Sequence, residues 1–113
     1  MTTPLILVTG SSGRIGTAVV RELTARKHNL RGFDRVPTPG LADCVVGDIL
    51  DPAACRKAMA GVSTLIHLAA TPDDVADPVK ELFGPNIIGV YNVFEAAREA
   101  GVRRMIVASS GQV

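Results

Sequence analysis

The stretch from Leu5 to Gly16 constrains this chain more than any other. Leu5-Ile6-Leu7-Val8 is continuously apolar rather than alternating, as a strand buried on both faces of a parallel sheet requires. It leads into Thr9-Gly10-Ser11-Ser12-Gly13-Arg14-Ile15-Gly16, in which Ser12 or Gly13 opens a helix. That helix carries Ile15, Ala18, Val19 and Leu23 on one stripe and Arg14, Arg21, Glu22, Arg26 and Lys27 on its other faces, with a basic last turn that suits the negative end of the helix dipole. Backbone N–H groups at such a helix N-terminus face an anionic group. Gly10 supplies a tight turn, Gly13 lets the backbone approach a pyrophosphate with no Cβ in the way, and Gly16 allows the helix to pack close to the sheet. Asp34 ends the next strand, about 20 residues further on, where a ribose 2′-hydroxyl needs an acceptor. Glycine turns alone are common. A buried strand before, an amphipathic helix after and a carboxylate beyond make this one a dinucleotide cradle.

The rest of the chain repeats the strand-helix alternation. Leu30 to Asp34 reads as a second strand, and Arg35-Val36-Pro37-Thr38-Pro39-Gly40-Leu41-Ala42, with two prolines and a glycine, as a loop. That loop is short for a parallel crossover. Cys44-Val45-Val46 reads as a third strand. Asp51 as N-cap, Pro52 as first helical residue and Gly61 past the end delimit a helix whose buried stripe is Cys55, Ala58, Met59 and Val62. Thr64 to Leu68 is a fourth strand running into Ala69-Ala70, and Thr71-Pro72-Asp73-Asp74 a polar loop. Asp77-Pro78 repeats the cap-plus-proline signal. After an interruption at Gly84-Pro85, a helix runs from Asn86 to Ala100 with Ile87, Tyr91, Phe94 and Ala97 on one stripe and Gly101 as its stop. Met105 to Ala108 is a fifth strand. This alternation predicts an α/β parallel sheet with helices on both faces.

Composition narrows the function classes. Lys and Arg number 12 against 11 Asp and Glu among 113 residues, so no charge excess proposes nucleic acid or an acidic membrane surface as partner. No apolar run approaches the ~20 residues of a membrane span, and Leu5 to Val8 is too short for a signal peptide. The expectation is one cytoplasmic domain. Cys44 and Cys55 have no metal-ligand spacing and read as reduced thiols packed as small hydrophobes. His28 reads as a surface residue at a helix end, and His67 as a packed strand histidine.

The glycine spacing is Gly-x-x-Gly-x-x-Gly, one residue longer at its first interval than in most dinucleotide folds. With it, His67-Leu68-Ala69-Ala70, Asn86-Ile87-Ile88-Gly89-Val90-Tyr91-Asn92-Val93 and Val107-Ala108-Ser109-Ser110-Gly111-Gln112-Val113 resemble successive motifs of the extended short-chain dehydrogenase/reductase superfamily, the NAD-dependent epimerase/dehydratase family. The final motif is also similar to that of sugar epimerases and uronate dehydrogenases. The resemblance covers essentially the whole chain. It implies a Rossmann-type doubly wound sheet with strand order 3-2-1-4-5, and a loop, not a helix, between strands two and three.

It also implies roles. Gly10, Gly13 and Gly16 would hold the pyrophosphate, with Ser12, Arg14 and Ile15 in the same turn, and Asp34 would accept from the adenosine ribose beside Arg35. Asp48 would bond the adenine amino group with Ile49 on the ring; alone, Asp48 reads equally as a solvated strand end or cap. Leu68, Ala69 and Ala70 would run beside the nicotinamide-side ribose. Asn86 would support the site or cap its helix. Ser109 and Ser110 compete for the catalytic serine slot, and position relative to Val113 favours Ser110. NAD is expected rather than NADP, because Asp34 stands where a 2′-phosphate must sit, although Arg14 or Arg35 could pair with that phosphate.

Members of the family carry a Tyr-x-x-x-Lys acid/base pair beyond the strand-five serine. Tyr91 is the only tyrosine here and residue 95 is Glu, so it cannot substitute. The reading is therefore the NAD-binding portion of a longer enzyme, truncated after strand five. That enzyme would transfer hydride from a nucleotide sugar or sugar acid, the 113 residues alone being inactive. The alternative is a non-catalytic dinucleotide-sensing module. A homo-oligomer is expected, because strand five would be an apolar sheet edge.

Overall fold

The computed structural model describes residues 4–68 and 84–108. Eight elements follow one another: β1 (Leu5–Thr9), α1 (Arg14–Ala25), β2 (Asn29–Asp34), β3 (Cys44–Val46), α2 (Pro52–Met59), β4 (Thr64–His67), α3 (Gly84–Ala100) and β5 (Arg104–Val107). The strands form one sheet in the order β3-β2-β1-β4-β5, and every pairing is parallel. The chain moves to one side of β1 for β2 and β3 and to the other for β4 and β5. The topological switch point therefore lies between β1 and β4, where doubly wound sheets bind ligands at their carboxyl ends.

Two apolar cores flank the sheet. Leu7, Phe33 and Leu65 pack with Cys55, Ala58 and Met59 of α2 and Val93, Ala96 and Ala97 of α3 on one face. Val8, Leu30 and Val20 of α1 pack on the other. Leu7 and Val8, adjacent in β1, thus bury into opposite cores, which is why this strand is apolar without interruption.

Helix termini follow their sequence signals. The Asp51 carboxylate accepts from the Ala53 N–H, with Pro52 as the first residue of α2. At the end of α3, Gly101 takes φ 76° while the Val102 N–H reaches the Ala97 carbonyl, a Schellman closure. Lys27, φ 65°, closes α1 in the same way, with the His28 N–H on the Leu23 carbonyl. Arg26 and Lys27 thus lie beyond the last turn of α1, which carries no basic residue.

Two helix faces differ from the sequence expectation. In α1 the buried residues are Gly16 and Val20, with Val19 and Leu23 half-buried, while Ile15 is 65% exposed and Ala18 is also exposed. The reason is Gly16: a Cβ there would stand 1.9 Å from the Gly10 carbonyl oxygen, so this backbone is the closest approach and sets the helix's rotation. In α3 Ala97 is buried and Phe94 half-buried as expected, but Ile87 and Tyr91 are exposed, and Gly89, Asn92, Val93 and Ala96 turn inward instead. Gly89 lies against the Ile49 side chain, and the Asn92 amide donates to the Ile49 carbonyl at 2.9 Å. The connection from Asp34 to Cys44 carries no helix, as the family resemblance implied.

Candidate functional site

The carboxyl ends of β1, β2, β3 and β4 place most of the expected site residues along one end of the sheet, where doubly wound folds form their ligand crevice. At the end of β1, Gly10 has φ 69°, a conformation that favours glycine, and its N–H donates to the Phe33 carbonyl at 2.8 Å. Gly13 caps α1 with no side-chain hydrogen bond, leaving the first-turn amides directed at the crevice. A Cβ on Gly13 would meet the Gly10 carbonyl at 3.3 Å, and one on Gly16 would overlap it. Only a turn stripped of side chains on this surface can lie this close to the strand. A pyrophosphate fits it, since such a cradle offers N–H donors with no Cβ between them and the anion.

Asp34 is fixed from two directions. Its Oδ2 accepts from the Ser12 N–H at 2.9 Å and its Oδ1 from the Arg35 N–H at 2.6 Å. The carboxylate is thereby tied to the glycine turn, at the point where a ribose beside the pyrophosphate would meet it. Arg14 and Arg35 are both exposed. The Gly47 N–H donates to the Asp34 carbonyl at 2.9 Å, which brings Asp48 alongside. Asp48 also caps locally, its Oδ1 accepting from the Leu50 N–H at 3.0 Å. The Ile49 side chain packs against Gly89 of α3.

Leu68 follows β4, its N–H donating to the Thr9 hydroxyl at 2.9 Å. That hydroxyl also lies 2.7 Å from His67 Nδ1, which joins β1 to β4 directly under the crevice. His67 is 3% exposed and edge-on to Phe94, and burial pushes its pKa below the usual imidazole value. It is a packed strand histidine, as read from the sequence. Cys55 is buried, and desolvation with help from the Asp51 and Asp48 charges raises its thiol to about 11. Among the described residues no group of His, Cys, Asp and Glu is arranged to hold a metal. Among them, too, no helix is long and apolar enough to cross a membrane.

Ala69, Ala70, Ser109 and Ser110 lie outside the described residues, as do Asp77 and Pro78. Asn86 falls in the first turn of α3, its side chain likewise outside what is described. Two residues that sequence reasoning passed over belong to the site's frame. Ser11 is fully buried and Thr38 is 4% exposed, their hydroxyls 2.6 Å apart. Thr38 sits between two prolines in what reads as a solvated loop, and no local pattern signals its burial.

The NAD dependent epimerase/dehydratase family model matches residues 6–113. A 3-beta-hydroxysteroid dehydrogenase of Mycolicibacterium neoaurum is 37% identical over 118 residues, covering 96% of this chain and 32% of the relative. A uronate dehydrogenase of Pseudomonas putida is 36% identical over 115 residues, covering 96% of this chain and 42% of its own. A short-chain dehydrogenase/reductase superfamily protein from Agrobacterium tumefaciens, solved with bound NAD, superposes with a TM-score of 0.88 at 41% identity, over 96% of this chain and 33% of that one. The chain spans between 32% and 42% of the length of the two sequence relatives.

Proposed function

Since this chain belongs to the NAD-dependent epimerase/dehydratase family, we propose that it is the dinucleotide-binding part of an NAD-dependent enzyme that acts on a nucleotide sugar or sugar acid by hydride transfer. The observation that carries this reading is the Asp34 carboxylate fastened to the Ser12 N–H at 2.9 Å, beside a glycine turn with no room for a Cβ at Gly16. Gly10, Gly13 and Gly16 would hold the pyrophosphate through the turn and the first amides of α1, and Asp34 would accept from the adenosine ribose. Asp48 lies next along the crevice for the adenine amino group. By the family resemblance, Ala69 and Ala70 would serve the second ribose, with Asn86 in support. By the same resemblance, Ser110, or Ser109 next to it in sequence, would bond the substrate oxygen next to the reacting carbon. When bound, NAD supplies the hydride acceptor; the protein supplies binding and orientation. The sugar class rests on the likeness to uronate dehydrogenase and on the Ser109-Ser110 sequence motif.

Asp34 favours NAD over NADP. A 2′-phosphate within ~4 Å of a carboxylate costs about 1 kcal/mol in water and several at lower effective dielectric. Calorimetric titration of the chain with both nucleotides tests this: NAD is expected to bind more tightly, and Asp34→Ala to narrow the difference. Tighter binding of NADP would overturn the assignment.

A further inference from the structure

The loop from Arg35 to Asp43 is fastened to the glycine turn by the buried Thr38 hydroxyl and by the Ser12 hydroxyl. Thr38 Oγ1 lies 2.6 Å from Ser11 Oγ, 2.9 Å from Ser12 Oγ and 3.4 Å from Cys44 Sγ. The directions of these bonds follow from counting protons. Ser12 Oγ donates to the Val36 and Pro37 carbonyls, each at 3.0 Å, so its one proton is committed there. Thr38 must then donate to Ser12 and accept from the Ser11 hydroxyl, while the Cys44 sulfur, which also faces the Val45 carbonyl, lies at the edge of the cluster. A threonine hydroxyl has one proton and two lone pairs; the proton goes to Ser12 and one lone pair to Ser11.

Residues 36–38 thus wrap around Ser12, whose own N–H holds the Asp34 carboxylate. Gly32 completes the packing: a Cβ there would stand 2.6 Å from Ser11 Oγ and 2.9 Å from the Leu41 side chain, so the loop lies directly on β2 and the turn. A 2′-phosphate on the adenosine ribose would need Asp34 and the loop after it to move away together. The Thr38 hub opposes that movement.

We propose that Thr38 is a positioning residue for nucleotide selection, its buried hydroxyl latching the loop after Asp34 onto Ser11 and Ser12 so that the ribose site stays closed to a 2′-phosphate. The inference rests on the dinucleotide reading above. It differs from the role of Asp34, which acts by its charge; Thr38 touches no nucleotide and acts through Ser12 and the loop backbone.

The test is calorimetric titration of the full chain and its variants with NAD and NADP. Thr38→Val keeps the shape, removes the hydroxyl and leaves the Ser11 and Ser12 hydroxyls short of a bond. It is expected to weaken NAD about fivefold and to narrow the NAD-to-NADP affinity ratio about fivefold or more, the size of one lost hydrogen bond. Thr38→Ser restores the hydroxyl and is expected to return the ratio to within about twofold of wild type, which a purely steric role for Thr38 would not do. Should Thr38→Val fail to fold, Ser12→Ala tests the same latch from its exposed side: it keeps the backbone N–H on Asp34, releases the Val36 and Pro37 carbonyls, and is expected to shift the ratio in the same direction. Failure of wild type to bind either nucleotide overturns the dinucleotide reading and this inference with it. Binding by wild type with an unchanged ratio in both Thr38→Val and Ser12→Ala, or in Ser12→Ala alone if Thr38→Val does not fold, overturns the latch only.

Discussion

At the scale of single residues, the site is built from positions where a change of one atom decides the outcome. Gly16 is the sharpest. A methyl there would overlap the Gly10 carbonyl, carbon and oxygen both, and neither can move without undoing the turn. Gly16→Ala is therefore expected to cost at least about 3 kcal/mol by overpacking, whereas Gly13→Ala, with its contact at 3.3 Å, is expected to stay below about 1 kcal/mol; urea unfolding of the two variants checks the contrast. His67 makes a second residue-scale prediction. Burial lowers its folded-state pKa, so the unfolded chain binds this proton first as pH falls. The stability its neutral, packed form contributes is present above the unfolded value of about 6.5. It is lost as pH falls from there toward the depressed folded value. Unfolding midpoints of wild type and His67→Phe are expected to converge between pH 7.5 and pH 5, and a gap that stays constant with pH would show that His67 does not titrate in this way.

At the scale of elements, polar side chains tie helices to strands where apolar packing alone would leave them free to slide. Arg31 of β2 is the main example. Its Nη1 donates to the Ala58 and Ala60 carbonyls at 2.8 and 2.7 Å, closing the C-terminal end of α2, and its Nε reaches both oxygens of Asp43 at 3.2 Å. A guanidinium there satisfies carbonyls that have no partner within the helix and favours the negative end of the dipole. Arg31→Ala is expected to lower stability by about 2 kcal/mol, the value of hydrogen bonds to a charged group in a partly buried setting, with α2 amides exchanging faster in hydrogen-exchange measurements while those of β1 keep their protection relative to global unfolding. Equal acceleration throughout would mean that Arg31 contributes only to global stability. Asn92 does for α3 what Arg31 does for α2, its amide holding the Ile49 carbonyl just beyond β3.

At the scale of the whole molecule, β5 stands at one edge of the described sheet, with Met105, Ile106 and Val107 between 45% and 50% exposed. An apolar edge strand with open backbone groups pairs with other chains. The 113-residue chain in solution is expected to self-associate through this edge. Light scattering over a dilution series checks it, and a strictly monomeric species at tens of micromolar would refute it. The same scale separates what was legible in the chain from what was not. The sequence by itself determined the alternation of strands and helices, the strand-turn-helix at Gly10 to Gly16, the Asp51-Pro52 start and the Gly101 stop. Each depends on backbone conformation and hydrogen bonds among residues close in the chain. It also placed Asp34 at the end of the second strand, where the structure ties its carboxylate to the Ser12 N–H of the turn. Tertiary structure decided which way α1 and α3 face, since their rotation is set by where Gly16 and Gly89 meet other segments and not by the hydrophobicity of Ile15, Ile87 or Tyr91. It alone buried Thr38, whose partners Ser11 and Ser12 lie 27 and 26 residues away. A polar residue satisfied by distant hydroxyls leaves no periodic trace in sequence, because its burial is compensated by bonds that only the folded chain brings together.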